Sequence, residues 1–508
     1  MINSKIFDLN DLAQKIKKIK KLKPSTKVVL CHGVFDVIHI GHIRYFKEAR
    51  KNGDFLVVSA TADKFVNKGL NRPFFKNHLR LEFLSSLSEI DAVCLSNNQS
   101  AVNVINKLKP NFYLKGNDYL KLSSDLTKKI YEEKKAVIKN GGKLIFSKDI
   151  TFSSSNLINT HLDKPDKINQ KYIKKVNSEK LTNNLINNIN NIADLKILVI
   201  GETIIDKYII SEPLGKPGKD AHIVIKNKSE NTYVGGAAAV AKNVSSFCNN
   251  VTFLSSLGED KEYHKLTKSY LGKKIKQFFI FKKNSSTIVK KRFIDEVSSQ
   301  KLFGEYFLND NQILDNDEKK IINFLSKKKY DMVILLDYGH GLITKKIIQK
   351  LKKVSNFLAV NAQINSSNIG HHSIQKFNNS NLLIINESEL RHEARDKESD
   401  IEVISKKFFK NNKFKFIVVT MGFRGSLLVD NNLKVTKCPA FENKKIVDKV
   451  GAGDTMLSVI APLFYLKNNN LTSILCGNLA GAISIRNLAN SKNLNKVKLI
   501  NYYKTILK

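Results

Sequence analysis

The 508 residues are more than one ordinary core accommodates, so two or three domains are expected, and 42% apolar residues are enough to build them. No run approaches the eighteen or so apolar residues of a membrane span, residues 1–5 lead into no signal-peptide core, and the five scattered cysteines lack a CxxC pair; a cytoplasmic protein with reduced thiols and no membrane partner is expected. A net charge of +39 points first to nucleic acid or an anionic surface, yet lysines are strewn along the whole chain without an Arg-rich tract or aromatic stacking motif, so no nucleic-acid partner is expected and the excess reads as compositional bias with some service to phosphorylated substrates.

Residues 11–23 place Leu12, Ile16, Ile19 and Leu22 at helical spacing with Lys17, Lys18, Lys20 and Lys21 between them. Such a basic amphipathic helix lies either on a membrane surface or, because Pro24 ends it directly before a strand, as a cap on the following domain. Residues 27–31 read as that strand, running into Cys31-His32-Gly33-Val34-Phe35-Asp36-Val37-Ile38-His39-Ile40-Gly41-His42. A helix to about Gly53 and a second strand over 55–60 complete a βαβ unit, hence a parallel sheet whose ligands bind beyond the carboxyl ends of its strands, where this loop lies. His39 and His42 stand three apart at the helix start, so both imidazoles can face one polyphosphate. The pair also reads simply as a helix cap, and Cys31 with His39 and His42 is a metal alternative without an evident fourth ligand.

Several further stretches accompany the HxGH: Gly33-Val34-Phe35-Asp36, Lys68-Gly69 with Arg72-Pro73, Arg80, Lys115-Gly116-Asn117-Asp118-Tyr119 and Phe152-Ser153-Ser154-Ser155. Together they resemble the cytidylyltransferase-like nucleotidyltransferases over about residues 25–160, and among these the adenylyltransferase domain of the bifunctional heptose enzymes of lipopolysaccharide synthesis. Class I aminoacyl-tRNA synthetases share the HxGH but carry a Lys-Met-Ser-Lys-Ser signature that is missing here. The resemblance implies attack of a sugar-phosphate oxygen on the α-phosphorus of ATP or CTP, with pyrophosphate leaving and no covalent enzyme intermediate. It casts His39, His42 and Lys68 as catalytic groups that place positive charge around the transition state. It places Gly33, Phe35, Asp36, Gly41, Arg80, Lys115, Asp118, Ser153, Ser154 and Ser155 at the nucleotide, with turn capping the alternative for Asp36. Asn71 and Phe74-Phe75-Lys76-Asn77 depart from the heptose pattern, so a different sugar pocket is expected.

From about 161 to 194 the chain turns polar, with Leu185, Ile186, Ile189 and Ile192 in partial helical spacing; this reads as a linker carrying a docking helix between domains of residues 1–160 and 195–508. The strand Lys196-Ile197-Leu198-Val199-Ile200 restarts the pattern and leads to Asp206. Residues 220–226 and Tyr233 read as short lid strands. Lys290 and Arg292 alternate in a β pattern and read as solvated edge charges, the alternative being that they face an anionic sugar substituent. Residues 332–337 form another parallel strand ending in Asp337-Tyr338-Gly339-His340-Gly341, and Asn361-Ala362-Gln363-Ile364-Asn365 ends the next. Then comes Asp448-Lys449-Val450-Gly451-Ala452-Gly453-Asp454 before an apolar run. Its glycines admit backbone close to a ligand, a helix opens behind them, and Asp454 stands at the mouth of an anion hole where a carboxylate can take a proton from a substrate hydroxyl. Taken alone, the stretch also reads as a Gly-rich turn with a capping aspartate.

Preceded in order by Val234-Gly235-Gly236-Ala237-Ala238, Asn386-Glu387-Ser388-Glu389 and Thr420-Met421-Gly422-Phe423-Arg424-Gly425-Ser426, it resembles the ribokinase-like (PfkB) sugar kinases over roughly residues 195–505. The resemblance implies Asp454 as catalytic base, and Asn386, Glu389, Thr420, Gly422, Gly425, Gly451, Ala452, Gly453 and Asn478 at ATP, with Glu389 toward Mg2+. It assigns Asp206, Gly235, Gly236 and Asn243 to the sugar, with a turn carboxylate the alternative for Asp206. Lys449-Val450 stand where the family has two threonines, so altered nucleotide contacts are expected.

The expectation is an α/β protein of two doubly wound domains, a Rossmann-like HxGH nucleotidyltransferase followed by a ribokinase-like kinase with a small β lid. The kinase would phosphorylate a sugar or sugar phosphate at the anomeric hydroxyl, and the transferase would make a nucleotide sugar from the product, with Mg2+, ATP and a homodimer through the lid. In the heptose enzymes the kinase comes first; here the order is inverted, and a related sugar of surface-polysaccharide synthesis competes with heptose. The alternative is a nucleotidyltransferase whose kinase-like half is a non-catalytic sugar-binding module.

Overall fold

A computed structural model of the chain describes residues 2–117, 129–147, 166–220, 222–364, 372–442 and 446–507. The chain divides into two compact units, Met1–Asp166 with Ile500–Lys508, and Lys167–Leu499.

In the first unit, runs such as VVLCHG and FLVVSAT are apolar and β-branched without alternation, the pattern of strands covered on both faces. The strands are β1 (Ile6–Phe7), β2 (Val28–Gly33), β3 (Phe55–Thr61), β4 (Ala92–Ser96), β5 (Phe112–Lys115) and β6 (Lys143–Phe146). They form one sheet in the order β1-β4-β3-β2-β5-β6, every pair parallel. The order reverses at β2, and the crevice beyond its carboxyl end is where doubly wound sheets hold ligands. The basic helix Leu9–Leu22 turns Leu12 and Ile16 into the core beside Leu30 and Val57, so its apolar stripe is spent on the domain and not on a membrane surface.

The second unit contains β7 (Lys196–Gly201), β8 (Thr203–Gly215), β9 (Val224–Gly236), β10 (Asn250–Gly258), β11 (Lys276–Lys282), β12 (Ile288–Asp295) and β13 (Lys301–Phe307), followed by β14 (Tyr330–Asp337), β15 (Ser355–Ala362), β16 (Leu382–Asn386), β17 (Phe416–Thr420), β18 (Ser426–Asp430) and β19 (Val435–Cys438). Its large sheet runs β11-β10-β7-β14-β15-β16-β17-β18-β19, parallel as far as β17 and antiparallel beyond. A second sheet, β13-β12-β8-β9, forms the lid.

The lid corrects the expectation of short strands over 220–226. β8 and β9 are 13 residues each, and β9 starts only at Val224. Residues 226–232 are polar and exposed, a loop-like composition held extended by the backbone ladder to β8. Helices Lys167–Ser178 and Thr182–Asn191 belong to this unit: the Tyr172 hydroxyl donates to the Leu471 carbonyl at 2.8 Å, and Leu185 and Ile189 are buried. Among the described residues no helix is long and apolar enough to cross a membrane.

Candidate active sites

In the second unit the ends of β14 to β17 bring Tyr338, Asn361, Asn386 and Thr420 to a cleft of about 720 Å³, which the lid and the start of helix Ala452–Tyr465 also line. That helix depends on its glycines. Gly451 has φ +80°, and a Cβ there would lie 2.6 Å from Asn490 Oδ1, whereas a Cβ on Gly453 would meet nothing, so the backbone at 453 faces open space. The Thr455 hydroxyl donates to the Gly451 carbonyl at 2.8 Å and closes the turn. The amides of such a first turn have no partner inside the helix and suit an anion.

Asp454 lies in this turn and accepts a hydrogen bond from the Tyr338 hydroxyl at 3.2 Å. Burial pushes its carboxyl up to about 6; Tyr338 and Lys290 pull it down and Asp206 pushes it up. A carboxylate of that affinity is mostly ionised at neutral pH yet basic enough to take a hydroxyl proton.

Asp206 on β8 is buried, with Oδ1 2.5 Å from Arg292 Nη1; burial raises its carboxyl and Arg292 opposes the rise. A Cβ at Gly235 would come within 2.3 Å of Asp206 Oδ2, so the glycine makes room for the carboxylate, and Gly236 lines the cleft. Lys290 and Arg292 line the cleft from one face of β12, which lies between β13 and β8. The reading of solvated edge charges is therefore corrected: Lys290 is 8% exposed and Arg292 is bound to Asp206.

Asn386 and Glu389 make a capping box: Asn386 Oδ1 accepts from the Glu389 amide at 2.8 Å, and Glu389 Oε2 from the Asn386 amide at 3.0 Å. Burial lifts the Glu389 carboxyl to about 7. Thr420, Gly422, Gly425 and Ala452 line the same cleft. Asn478 shapes its wall, since its amide donates to the carbonyls of Cys438 and Pro439 at 3.1 and 3.0 Å and accepts from Ser426. Asn243 is a correction: its side chain is taken up inside by Thr455 and the Leu494 amide, so it is not offered to a sugar.

Tyr338 and Asn490 are among the lining residues to which sequence reasoning assigned no role of their own, whereas Lys449, where altered nucleotide contacts are expected, does line the cleft. Tyr338 had a signal, being the first residue beyond an apolar strand; Asn490 had only its neighbourhood. Asp448 accepts from the Tyr208 hydroxyl at 2.5 Å, from Lys301 Nζ at 2.7 Å and from the amides of Val450 and Ala489, so it ties the lid to the glycine turn.

In the first unit, His39 and His42 flank the start of helix Ile40–Arg50 with ring centroids 4.1 Å apart. His39 Nδ1 accepts from the Gly41 amide at 3.1 Å, and His42 Nδ1 from the His39 amide at 3.4 Å. Backbone donors at Nδ1 put the proton of a neutral ring on Nε2, which makes Nε2–H the donor for a phosphate oxygen. The expectation of two cations is corrected. Burial first, then His39 and Lys68, push His42 down to about 3, and burial lowers His39.

Phe35 packs edge-on to His42, and a Cβ on Gly33 would lie 3.1 Å from the Phe35 ring. Asp36 accepts from the amides of Phe74 and Phe75 at 2.6 and 3.0 Å, clamping the loop that departs from the heptose pattern.

Arg80 is corrected to an internal clamp. It is 1% exposed, bound to Asp63 at 2.7 Å and to the carbonyls of Val34, Thr61 and Phe75. Lys115 is likewise buried, 3.3 Å from Glu133, whose oxygens also accept from Tyr113 and the Ala101 amide. The metal alternative falls because Cys31 is fully buried in the apolar core beside Val29 and Val58, and no group of three metal-ligating side chains occurs among the described residues. Asp118, Ser153, Ser154 and Ser155 lie outside the described residues.

The family model described as cytidylyltransferase-like matches residues 30–161. Similar curated proteins include the "Bifunctional protein HldE" of Aliarcobacter butzleri (strain RM4018), 29% identical over 303 residues, which are 58% of this chain and 59% of that protein. The protein of that name from Hydrogenovibrio crunogenus (strain DSM 25203 / XCL-2) is 43% identical over 95 residues, 18% of this chain and 20% of that protein. The chain thus spans about three fifths of the first relative and less of the second. Escherichia coli phosphofructokinase-2 in complex with potassium is similar in fold, with a TM-score of 0.50 at 14% identity over 62% of this chain and 99% of that one. The model of pfkB family carbohydrate kinases matches residues 194–495, more than half of the sequence, and the chain belongs to the pfkB family of carbohydrate kinases.

Proposed function

We propose that the chain is a bifunctional enzyme of nucleotide-sugar synthesis. The C-terminal unit phosphorylates a sugar or sugar phosphate with ATP at the anomeric hydroxyl, and the N-terminal unit joins the resulting 1-phosphate to a nucleotide from ATP or CTP. The observation that carries this reading is Asp454, a carboxylate at about 6 held by Tyr338 at the start of a glycine-led helix, in a cleft shared with Asp206 and Glu389. The two family matches and the name of the HldE relatives support two activities in one chain. The resemblance to the heptose enzymes makes a heptose phosphate, or a related sugar of surface polysaccharide, the substrate class.

In the kinase step Asp454 takes the proton of the sugar hydroxyl, the oxygen bonds to the γ-phosphorus, and the bond to the β-phosphate oxygen breaks to release ADP. Asp206 and Arg292 hold the sugar end, while the amides at 451–453 and the exposed Lys449 face the phosphoryl group. Glu389 would hold a magnesium ion brought by the nucleotide: it lines the cleft, its carboxylate accepts from the backbone of Asn386 and Ile364, and a single protein carboxylate suits this ion. Magnesium there would supply charge that neutralises phosphate.

In the transferase step a sugar-phosphate oxygen attacks the α-phosphorus and pyrophosphate leaves, with the Nε2–H groups of His39 and His42 donating to phosphate oxygens and Lys68 adding charge. The edge strand β13 is exposed along its length, Phe303, Tyr306 and Phe307 included, and supports a homodimer through the lid. The site of action is the cytoplasm, where ATP is supplied and the five buried thiols stay reduced.

The test is sequential product release. With Mg-ATP and the right sugar the protein should form ADP and then pyrophosphate, and Asp454→Asn should abolish the first while leaving pyrophosphate release from a supplied sugar 1-phosphate. Phosphorylation within a few-fold of wild type in that variant would remove the proposed base. Turnover of sugar 1-phosphates without any sugar-dependent ADP formation would leave the kinase fold as a sugar-binding module. A pyrophosphate-release screen of sugar 1-phosphates against the four nucleoside triphosphates identifies both base and sugar.

A further inference from the structure

We propose that Tyr338 is a positioning residue of the kinase reaction, its phenol holding one oxygen of Asp454 so that the other faces the substrate hydroxyl. The inference rests on the reading of Asp454 as the base. Tyr338 directly follows β14, which is paired on both sides by β7 and β15, so its main chain has little freedom. Its amide donates to Glu202 Oε2 at 3.1 Å, the Leu342 amide donates to Glu202 Oε1 at 3.3 Å, and the Gly339 amide donates to Asp337 Oδ1 at 2.9 Å. Two buried carboxylates thus clamp residues 338–342 and aim the ring into the cleft, where Tyr338 is 4% exposed and its hydroxyl reaches Asp454 Oδ2 at 3.2 Å.

The geometry solves a specific difficulty. An aspartate in the first turn of a helix tends to fold back onto its own backbone amides, the same amides the phosphoryl group needs. A phenol fixed from another strand pulls the carboxylate outward and leaves those amides to the ligand. Burial, then the neighbouring carboxylate of Asp454, raises the Tyr338 hydroxyl well above the ordinary range, so it stays a donor wherever the enzyme works. The groups facing Asp454 are Asp206 from β8, Lys290 from β12, Tyr338, and more distantly Glu389; Asp206 favours the protonated carboxyl, while Tyr338 and Lys290 favour the carboxylate.

Tyr338→Phe removes one hydroxyl and keeps the ring, so the fold is retained. The readout is kcat/KM for the sugar from pH 5 to 9 in the full-length protein. The expected result is an acid limb displaced upward by about one pH unit, a fall of about fivefold at pH 6 that grows to about tenfold at pH 5, recovery toward wild type at alkaline pH, and an unchanged KM for ATP. A limb that coincides with wild type, or a loss of equal size at every pH, overturns the inference. Asp454→Asn separates the two claims. If that variant keeps sugar phosphorylation, the base assignment falls and this inference with it; if it abolishes phosphorylation while Tyr338→Phe leaves the limb in place, only the positioning role is lost.

Discussion

Replacing Asp454 by Asn should stabilise the kinase unit while removing its activity. The folded carboxyl stands at about 6 against an ordinary 3.8, chiefly because of burial. A carboxyl raised on folding contributes its full stability below about pH 3.8 and loses it as pH rises through 6, because ionisation costs more in the folded chain than in the unfolded one. Two units correspond to about 3 kcal/mol, which access of solvent through the cleft reduces to about 1–2 kcal/mol. Asparagine carries no charge and its oxygen still accepts from Tyr338, so the variant should recover this amount at pH 7.5, or a few degrees in Tm. The assay is thermal unfolding of the full chain at pH 7.5 and pH 5.0, following the transition that moves when the kinase's sugar substrate is added. At pH 5.0 wild-type Asp454 is largely protonated and the difference should shrink. A variant less stable than wild type at pH 7.5, or a gain of the same size at both pH values, would refute the placement of a buried, ionised carboxylate at this turn.

Wild-type kcat/KM for sugar phosphorylation should fall tenfold per pH unit below about pH 6, since a protonated Asp454 cannot accept the hydroxyl proton; a profile flat from pH 5 to 8 would contradict the base assignment. Arg292→Met leaves the buried Asp206 without its cation, a loss of about 3 kcal/mol, and should raise KM for the sugar at least tenfold with KM for ATP within a few-fold. Equal changes in both constants would make the pair structural. His42→Ala should cut pyrophosphate release about a hundredfold and leave sugar-dependent ADP formation unchanged, and parallel loss of both activities in the two assays would deny that the sites are separate.

Much of this was legible because the chemistry needs contiguous stretches. The glycine turn before Asp454, the HxGH at a strand end and the Asn-x-x-Glu cap each combine a backbone torsion with a side chain a fixed number of residues away, and such relations are local. The uninterrupted apolar strands also declared the parallel core of both large sheets. What remained hidden depended on partners far along the chain. Lys290 and Arg292 alternate in the same way on an edge or an interior strand; Asp206, 86 residues before Arg292, decided that they turn into the cleft. Arg80 reads as a phosphate ligand until Asp63 and three carbonyls converge on it, and Lys115 until Glu133 meets it across the core. β9 carries too few apolar residues in its middle to announce itself as a strand and is held extended by its backbone ladder to β8. Residue type and spacing set torsions, helix starts and strand ends, which act over a few residues. Burial, and the charge partner that keeps a buried group ionised, arise only when distant segments pack, and for Asp454, Asp206 and Tyr338 those two quantities decide the chemistry.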